Sequence, residues 1–392
     1  MTEAAENIKV HWLGAGLSSG PGIRRLAQGP ARLWLWNRTI EKAENVLAGL
    51  SSPVKLQQFD MDALATALSP GDIVVSMLPG SFHPVIARLC LEQRCHFVSS
   101  SYISPEMAEL DEEAREKQLC LVNEVGLDPG IDHLMAHLLV AAYRASSAYD
   151  DDNEVYFRSY CGGFPAVANE FRYKFSWSPL GVLRALKSPS RSIRDGRELE
   201  VSRPWQAISS YRATLPGHRS EVFEAYPNRD ALPFMEAYGF EKNWRVKEFV
   251  RGTLRLDGWT EAWKDIFAEL DSLEGESGEQ RLQQIGEELW QKHGYEAGEA
   301  DRVVLCVELE ARKGEQAAWH RGYSMDATGN ERGNAMARLV SLTVSLAVDA
   351  LVSGQIAAGV SDAPSNTALI ESWFTTLAEL GEVIEHVDYL EQ

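Results

Sequence analysis

Ile8-Lys-Val-His-Trp-Leu-Gly-Ala-Gly-Leu-Ser-Ser-Gly-Pro-Gly-Ile-Arg-Arg-Leu-Ala-Gln28 is the stretch whose reading decides the fold. Ile8–Leu13 is a short apolar run that predicts a strand, and Gly20–Gln28 carries the pattern of the turn and helix after it. Between them lies Gly14-Ala15-Gly16-Leu17-Ser18-Ser19. A dinucleotide-binding turn needs glycine for the tight bend, glycine where backbone meets pyrophosphate, and a third small residue where helix packs on strand. Gly14 and Gly16 fill the first two places and Ser19 the third, a departure from GxGxxG that keeps a small side chain. Such a turn also occurs as plain strand–helix punctuation; its place at the end of a first predicted strand is what favours the nucleotide reading.

Moving outward, the second predicted strand, Arg32–Trp36, ends on Asn37-Arg38-Thr39. An NAD-binding protein places a carboxylate on the ribose near this point, about 20 residues beyond the glycines. Here Asn37 is neutral, Arg38 is a planar cation suited to a phosphate, and Thr39 offers a hydroxyl. The expected cofactor is therefore NADP, with Arg38 on the 2′-phosphate. Further strands are predicted at Val54–Phe59, Ile73–Leu78, His96–Ser99 and Leu119–Asn123, with helices at Thr39–Leu50, Met61–Leu68, His83–Glu92 and Pro105–Gln118. This alternation argues for an α/β fold, a Rossmann-type doubly wound parallel sheet.

The pattern changes near Asp128. Asp128-Pro129 reads as a helix start, Asp at the cap and Pro in the first helical position, with helical periodicity over Ile131–Tyr143. Val155–Tyr160 and Val303–Ala311 read as strands of a second sheet, and Glu261–Leu273 and Glu279–His293 as helices between them. Glu274-Gly-Glu-Ser-Gly-Glu279 reads as a solvated loop. Leu339–Val352 is short for a bilayer and carries Asp349, so it reads as a buried helix.

Composition narrows the function. The 392 residues are 45% hydrophobic and 24% charged, an ordinary globular profile. A net charge of −19 disfavours nucleic acid and anionic membrane as partners and leaves a small-molecule substrate. The five cysteines include no CxxC pair and no zinc-like Cys/His spacing, which predicts no metal and a reducing, cytoplasmic setting. The first residues, MTEAAENIKVHWLG, lack the basic and apolar regions of a secretion signal.

Six segments then occur in order: Val98-Ser-Ser-Ser-Tyr-Ile-Ser-Pro105, Asn123-Glu-Val-Gly-Leu-Asp-Pro-Gly-Ile-Asp-His133, Ser159-Tyr-Cys-Gly-Gly163, Tyr173-Lys-Phe-Ser-Trp-Ser178, Tyr226-Pro-Asn-Arg-Asp230 and Arg251-Gly-Thr-Leu-Arg255. In these the chain resembles the saccharopine reductase family, from Gly14 to about Asp257 and more weakly over Met336–Pro364. The resemblance implies an NADP-dependent oxidoreductase of lysine metabolism. It would interconvert L-saccharopine with L-glutamate and 2-aminoadipate 6-semialdehyde by hydride transfer to an imine. It also implies a second α/β domain for substrate binding and dimerisation at 129–334, with a mainly helical insertion at about 230–300. The C-terminal 335–392 would return to the nucleotide domain of residues 1–128, and the assembly would be a homodimer.

Matching family positions place Asp60 and Met61 near the adenine, Leu78 along the cofactor groove, and Ser100, Ser101 and Ser176 at the cofactor. They place Ser101, Tyr102 and Asp128 at the substrate. Arg229 and Arg255 have the guanidinium fork that fits a carboxylate, and Thr253 and Leu254 adjoin Arg255. Asp128, Tyr102 and Cys161 are the proton-carrier candidates, in that order; Asp128 would also serve as a helix cap, and Cys161 as inert packing. His83 and His133 read as helix-start packing. Two rival readings remain at this point: a related imine-reducing enzyme such as a carboxynorspermidine dehydrogenase, and a non-catalytic NADP-binding protein.

Overall fold

The computed structural model describes residues 8–391, so the reading of the first seven residues lies outside the described residues. In chain order the first elements are β1 (Lys9–Leu13), α1 (Gly20–Gln28), β2 (Arg32–Asn37), α2 (Ile40–Leu47), β3 (Lys55–Gln58), α3 (Met61–Ala67), β4 (Ile73–Ser76), α4 (His83–Gln93), β5 (His96–Ser99), α5 (Pro105–Ala108), α6 (Asp111–Glu116), β6 (Cys120–Val122) and α7 (Ile131–Ala145). There follow β7 (Glu154–Pro165), α8 (Pro179–Lys187), β8 (Ser190–Arg194), β9 (Arg197–Val201), β10 (Ser209–Leu215), β11 (Arg219–Pro227), α9 (Pro233–Ala237), β12 (Arg245–Arg255), α10 (Trp259–Ser272) and α11 (Gly275–His293). The last are β13 (Asp301–Lys313), β14 (Gln316–Thr328), α12 (Ala335–Val352), β15 (Gly359–Ser361), α13 (Thr367–Glu379) and β16 (Glu385–Asp388).

The chain forms two compact units. One runs to Leu134 and takes in Ala337–Leu377; the other holds Met135–Met336 and the stretch from Ala378. In the first, seven strands stand in the order β15-β6-β5-β4-β1-β2-β3, with β1 paired in parallel to both β2 and β4. Crossing from β3 to β4 leaves the C-terminal ends of β1 and β4 at the point where strand order reverses, where open α/β sheets bind ligands. A core of Leu13, Trp36, Val74, Ile86, Phe97 and Leu121 fills one face.

Helix α12 packs on α1 at almost no distance. A β-carbon at Gly22 would lie 2.2 Å from Ser341 O, and the Gly22 N–H donates to Ser341 Oγ at 2.8 Å. Pro21 brings no N–H, so this bond satisfies one of the amides that a helix leaves open in its first turn. Gly22→Ala is therefore expected to destabilise the protein by about 1–3 kcal/mol through overpacking. Gly20→Ala, whose β-carbon meets only Val46 Cγ1 at 4.0 Å, serves as the control in thermal unfolding.

In the second unit a nine-stranded sheet runs β10-β11-β12-β7-β13-β14-β16, with the β8–β9 hairpin attached through β12. Phe175, Leu183, Trp259, Trp263, Phe267 and Leu282 form the core among α8, α10 and α11. Several expectations change here. β12, a central strand, lies inside the stretch read as a helical insertion, and the helices there are confined mainly to α10 and α11. Glu274–Glu279 is no loop: α11 starts at Gly275, because Leu282, Ile285 and Leu289 are buried and Gly286 lets the helix close on Leu180 of α8. The C-terminus does not all join the nucleotide unit, since β16 pairs with β14 from Arg321↔Asp388 to Ser324↔Glu385. α12 is a buried helix as expected; it is long and apolar enough to cross a membrane, but 72% of that stretch is buried in the protein.

Candidate active site

The glycine loop is pinned by its neighbours. Gly14 has φ +98°, and a β-carbon there would lie 3.2 Å from Met77 O, so both backbone and space call for glycine. Its N–H donates to Trp36 O at 2.8 Å, and the Ala15 N–H donates to Asn37 Oδ1 at 3.0 Å. Gly16 faces open space, with nothing within 4 Å of an added β-carbon, and Leu17 beside it is exposed. Ser19 is buried at the start of α1, which explains why the third place takes a small residue. An open glycine before a helix N-terminus is a cradle that fits a pyrophosphate.

Asn37 is engaged within the protein, since its amide also donates to Thr39 O at 2.6 Å; its work is to hold the glycine loop against the end of β2. Arg38 and Thr39 are exposed, and no carboxylate among the described residues pairs with Arg38. This leaves a free cation and a hydroxyl where a 2′-phosphate would sit. Asp60 is the cap of α3, accepting from the Ala63 N–H at 2.9 Å, with Met61 packed partly into the core. Leu78 lies 3.3 Å from the position of an added Gly14 β-carbon, and Ser100 Oγ points at Met77 Sδ, 3.8 Å away.

Tyr102 and Asp128 meet: the phenol donates to Asp128 Oδ1 at 3.1 Å. Asp128 is not at the capping position of the following helix. The Asp128–Pro129 bond is cis, and α7 begins only at Ile131, because the Gly130 N–H is taken by Asp132 Oδ1 at 2.7 Å. Ser101 stands beside Tyr102, its N–H 3.4 Å from Ser99 Oγ. Behind this pair lies Glu124, whose Oε1 accepts from the Ile103 N–H at 2.9 Å and whose Oε2 lies 2.9 Å from His133 Nε2. The sequence reading passed over Glu124 and took His133 as packing; the fused pattern Asn123-Glu124 with His133 nine residues on was the available signal. His83 is buried against Leu78 O at 3.0 Å, and burial pulls its pKa down to about 4, so it stays neutral near pH 7.

In the second unit the register sets Tyr226, Thr253, Cys161 and Leu305 in one row across the sheet. Cys161 is buried in the middle of β7, and Ser176 is buried close to Gly163. Leu254 is fully buried and turns its side chain to the other face, so only its carbonyl is offered to Arg255. Strand alternation puts Arg251, Thr253 and Arg255 on one face of β12. Arg251 went unremarked in the sequence although Arg-Gly-Thr-Leu-Arg shows that period of two; it is buried, its guanidinium 4.0 Å from the Phe234 ring centre.

Arg255 is 6% exposed and caged by Tyr173, Trp259 and Tyr226, at 4.9, 5.3 and 5.4 Å from the ring centres. It forms no ion pair among the described residues, its Nε has no hydrogen-bond partner, and Nη1 donates to Leu254 O at 3.0 Å. Glu224, directly opposite in register, is occupied at the start of α10, accepting from the N–H groups of Gly258 and Thr260 at 2.9 and 2.8 Å. Arg229 is exposed with φ 56°. It lies two residues past the end of β11, whose last pairing is Pro227 with Gly252.

Residues 10–122 match the saccharopine dehydrogenase NADP binding domain, and residues 126–381 match the saccharopine dehydrogenase C-terminal domain. The chain is 36% identical over 253 residues to a saccharopine dehydrogenase (NADP(+), L-glutamate-forming) of Pyricularia oryzae, which covers 63% of this chain and 54% of that protein. With the Saccharomyces cerevisiae protein of the same name it shares 34% over 261 residues, 65% of this chain and 56% of the other. The matched stretch spans about half the length of these fungal relatives. Among solved structures, the apo L-Glu-forming saccharopine dehydrogenase of S. cerevisiae superposes with a TM-score of 0.78 at 25% identity, covering 97% of this chain and 100% of that one. A homospermidine synthase of Legionella pneumophila shares the fold, with a TM-score of 0.62 at 10% identity over 97% of this chain and 91% of the other.

Proposed function

Because the chain belongs to the saccharopine dehydrogenase family, we propose that it interconverts L-saccharopine with L-glutamate and 2-aminoadipate 6-semialdehyde, using NADP. Arg255 is the observation that carries the substrate class: a buried cation, supported among the described residues by ring faces and neutral acceptors, fits an anionic ligand group. Such a site is wrong for a polyamine, which disfavours the carboxynorspermidine alternative.

The nucleotide unit is an NADP-binding domain. Bound NADP supplies the hydride acceptor for the carbon next to the secondary amine, or the donor in reverse. The protein's residues do the rest. Arg255 fixes a carboxylate, and Arg229, the second arginine that the family resemblance assigns to the substrate, takes another. Asp128 takes the proton released at nitrogen as the imine forms, and Tyr102 orients that carboxylate through its 3.1 Å bond. Water addition to the imine and release of glutamate require the same pair to return a proton. Cys161, buried in mid-strand, is the weaker candidate.

Arg38 tests the cofactor half. Arg38→Ala is expected to raise KM for NADPH by about 10–100-fold and to leave that for NADH unchanged, measured in the reductive direction with glutamate and the semialdehyde. An unchanged NADPH constant would remove Arg38 from the 2′-phosphate. The proposal extends to a cytoplasmic homodimer. The cytoplasmic part is supported by five buried cysteine thiols, and solution mass tests the assembly.

A further inference from the structure

We propose that Glu124 is a positioning residue whose single buried carboxylate holds Tyr102 and Asp128 in register; this inference rests on the function just described. Glu124 brackets Tyr102 on both sides. Its own backbone N–H donates to Ser101 O at 3.1 Å, and its Oε1 accepts from the Ile103 N–H at 2.9 Å, so the residues before and after Tyr102 are tied to one residue, the first through its backbone and the second through its carboxylate. The backbone at Glu124 is left-handed, φ 56°, a conformation that a β-carbon disfavours and that persists only where the surroundings hold it.

The second oxygen reaches the other partner. Glu124 Oε2 lies 2.9 Å from Nε2 of the buried His133, in the first turn of α7. From His133 the frame runs back to Asp128 through a tight turn. The His133 N–H donates to Gly130 O at 3.0 Å, Ile131 N–H to Gly126 O at 3.1 Å, and Gly126 N–H to Pro129 O at 2.9 Å. A β-carbon at Gly130 would meet Gly126 at 2.1 Å and one at Gly126 would meet Ser100 at 2.9 Å, so this turn has no room to shift. Moving the Glu124 carboxylate therefore moves the Tyr102 segment relative to the Asp128 turn.

Other charged groups face the same imidazole: Asp132 Oδ2 is 3.9 Å from His133 Nδ1, and the Asp362 carboxyl, pushed up by burial, feels both His133 and Glu124. None of these ties the Tyr102 segment to α7 as Glu124 does. What matters for the role is reach and hydrogen-bond geometry, not charge.

Two conservative variants separate these. Glu124→Gln keeps the length and both contacts, the amide oxygen to Ile103 and the amide nitrogen to His133. Glu124→Asp keeps the charge but withdraws it by one methylene. The expected result is kcat near wild type for Glu124→Gln and about 100-fold lower for Glu124→Asp, with KM for saccharopine and the dissociation constant for NADPH little changed in either. A second readout is independent of turnover. In protein labelled with 13C-tyrosine, the Tyr102 line, identified by its loss in Tyr102→Phe, should shift toward the exposed tyrosines in Glu124→Asp and stay in Glu124→Gln. Equal activity and an unmoved line in Glu124→Asp would overturn the proposal, as would a Glu124→Gln as impaired as Glu124→Asp. Wild-type protein that does not oxidise saccharopine, with the line still moving, would remove the reaction and leave the positioning role.

Discussion

Replacing Arg255 with methionine is expected to lower kcat/KM for L-saccharopine by roughly 10²–10³ while leaving the melting temperature unchanged or higher. The two halves of that result have one origin. Removing a cation from water costs several kcal/mol, and each ring face returns only about 0.5–2 kcal/mol. Arg255 has ring faces, Leu254 O and the Tyr226 hydroxyl, and no acid among the described residues. Glu224 stands opposite but is spent on the start of α10. A structural arginine would be expected to have a carboxylate partner; on the proposed function this one gains its partner from a substrate carboxylate. Methionine fits the cage, packs well on aromatic rings and removes the buried charge. Arg255→Lys keeps the charge but loses the fork, so it should recover only part of the activity. A lower melting temperature with unaltered kinetics would mean that Arg255 serves the fold and not the substrate.

The second large effect is expected at Asp128. Asp128→Asn preserves an acceptor for the Tyr102 hydroxyl, so folding and NADPH binding should stay near wild type. What it loses is the ability to take up and return a proton, which is worth about 10²–10⁴ in rate for a positioned acid–base group. Turnover of saccharopine should fall by at least about 100-fold. Tyr102→Phe should cost less, since the phenol orients the carboxylate and does not replace it. Turnover near wild type in Asp128→Asn would end its candidacy and move attention to Cys161.

Much of the nucleotide unit is legible in the sequence because its signals are local. Ile8–Leu13, Gly14 and Gly16 announce a strand and its turn, and Asn37-Arg38-Thr39 lacks the carboxylate of an NAD site. The second unit hides itself for identifiable reasons. Arg245–Arg255 alternates charged and apolar residues with a glycine inside, so its polar members masked a central strand. Gly275–Glu279 has poor helix formers, and only packing against α8 makes it helical. β16 exists because β14 offers an edge more than fifty residues earlier in the chain, a pairing that no local pattern encodes. The site shows the same contrast. Arg255 and Asp128 are visible as residue types in motifs. That Arg255 has no acid among the described residues, and that Asp128 meets Tyr102 instead of capping α7, follows from long-range register and from the turn at Gly130.

The most direct test is NADP⁺ reduction on addition of L-saccharopine to the wild-type protein, repeated with NAD⁺, with the products identified. Saccharopine-dependent turnover that prefers NADP⁺ and yields glutamate and the semialdehyde is the result expected here. Tight NADP(H) binding with no turnover of saccharopine in either direction would contradict it.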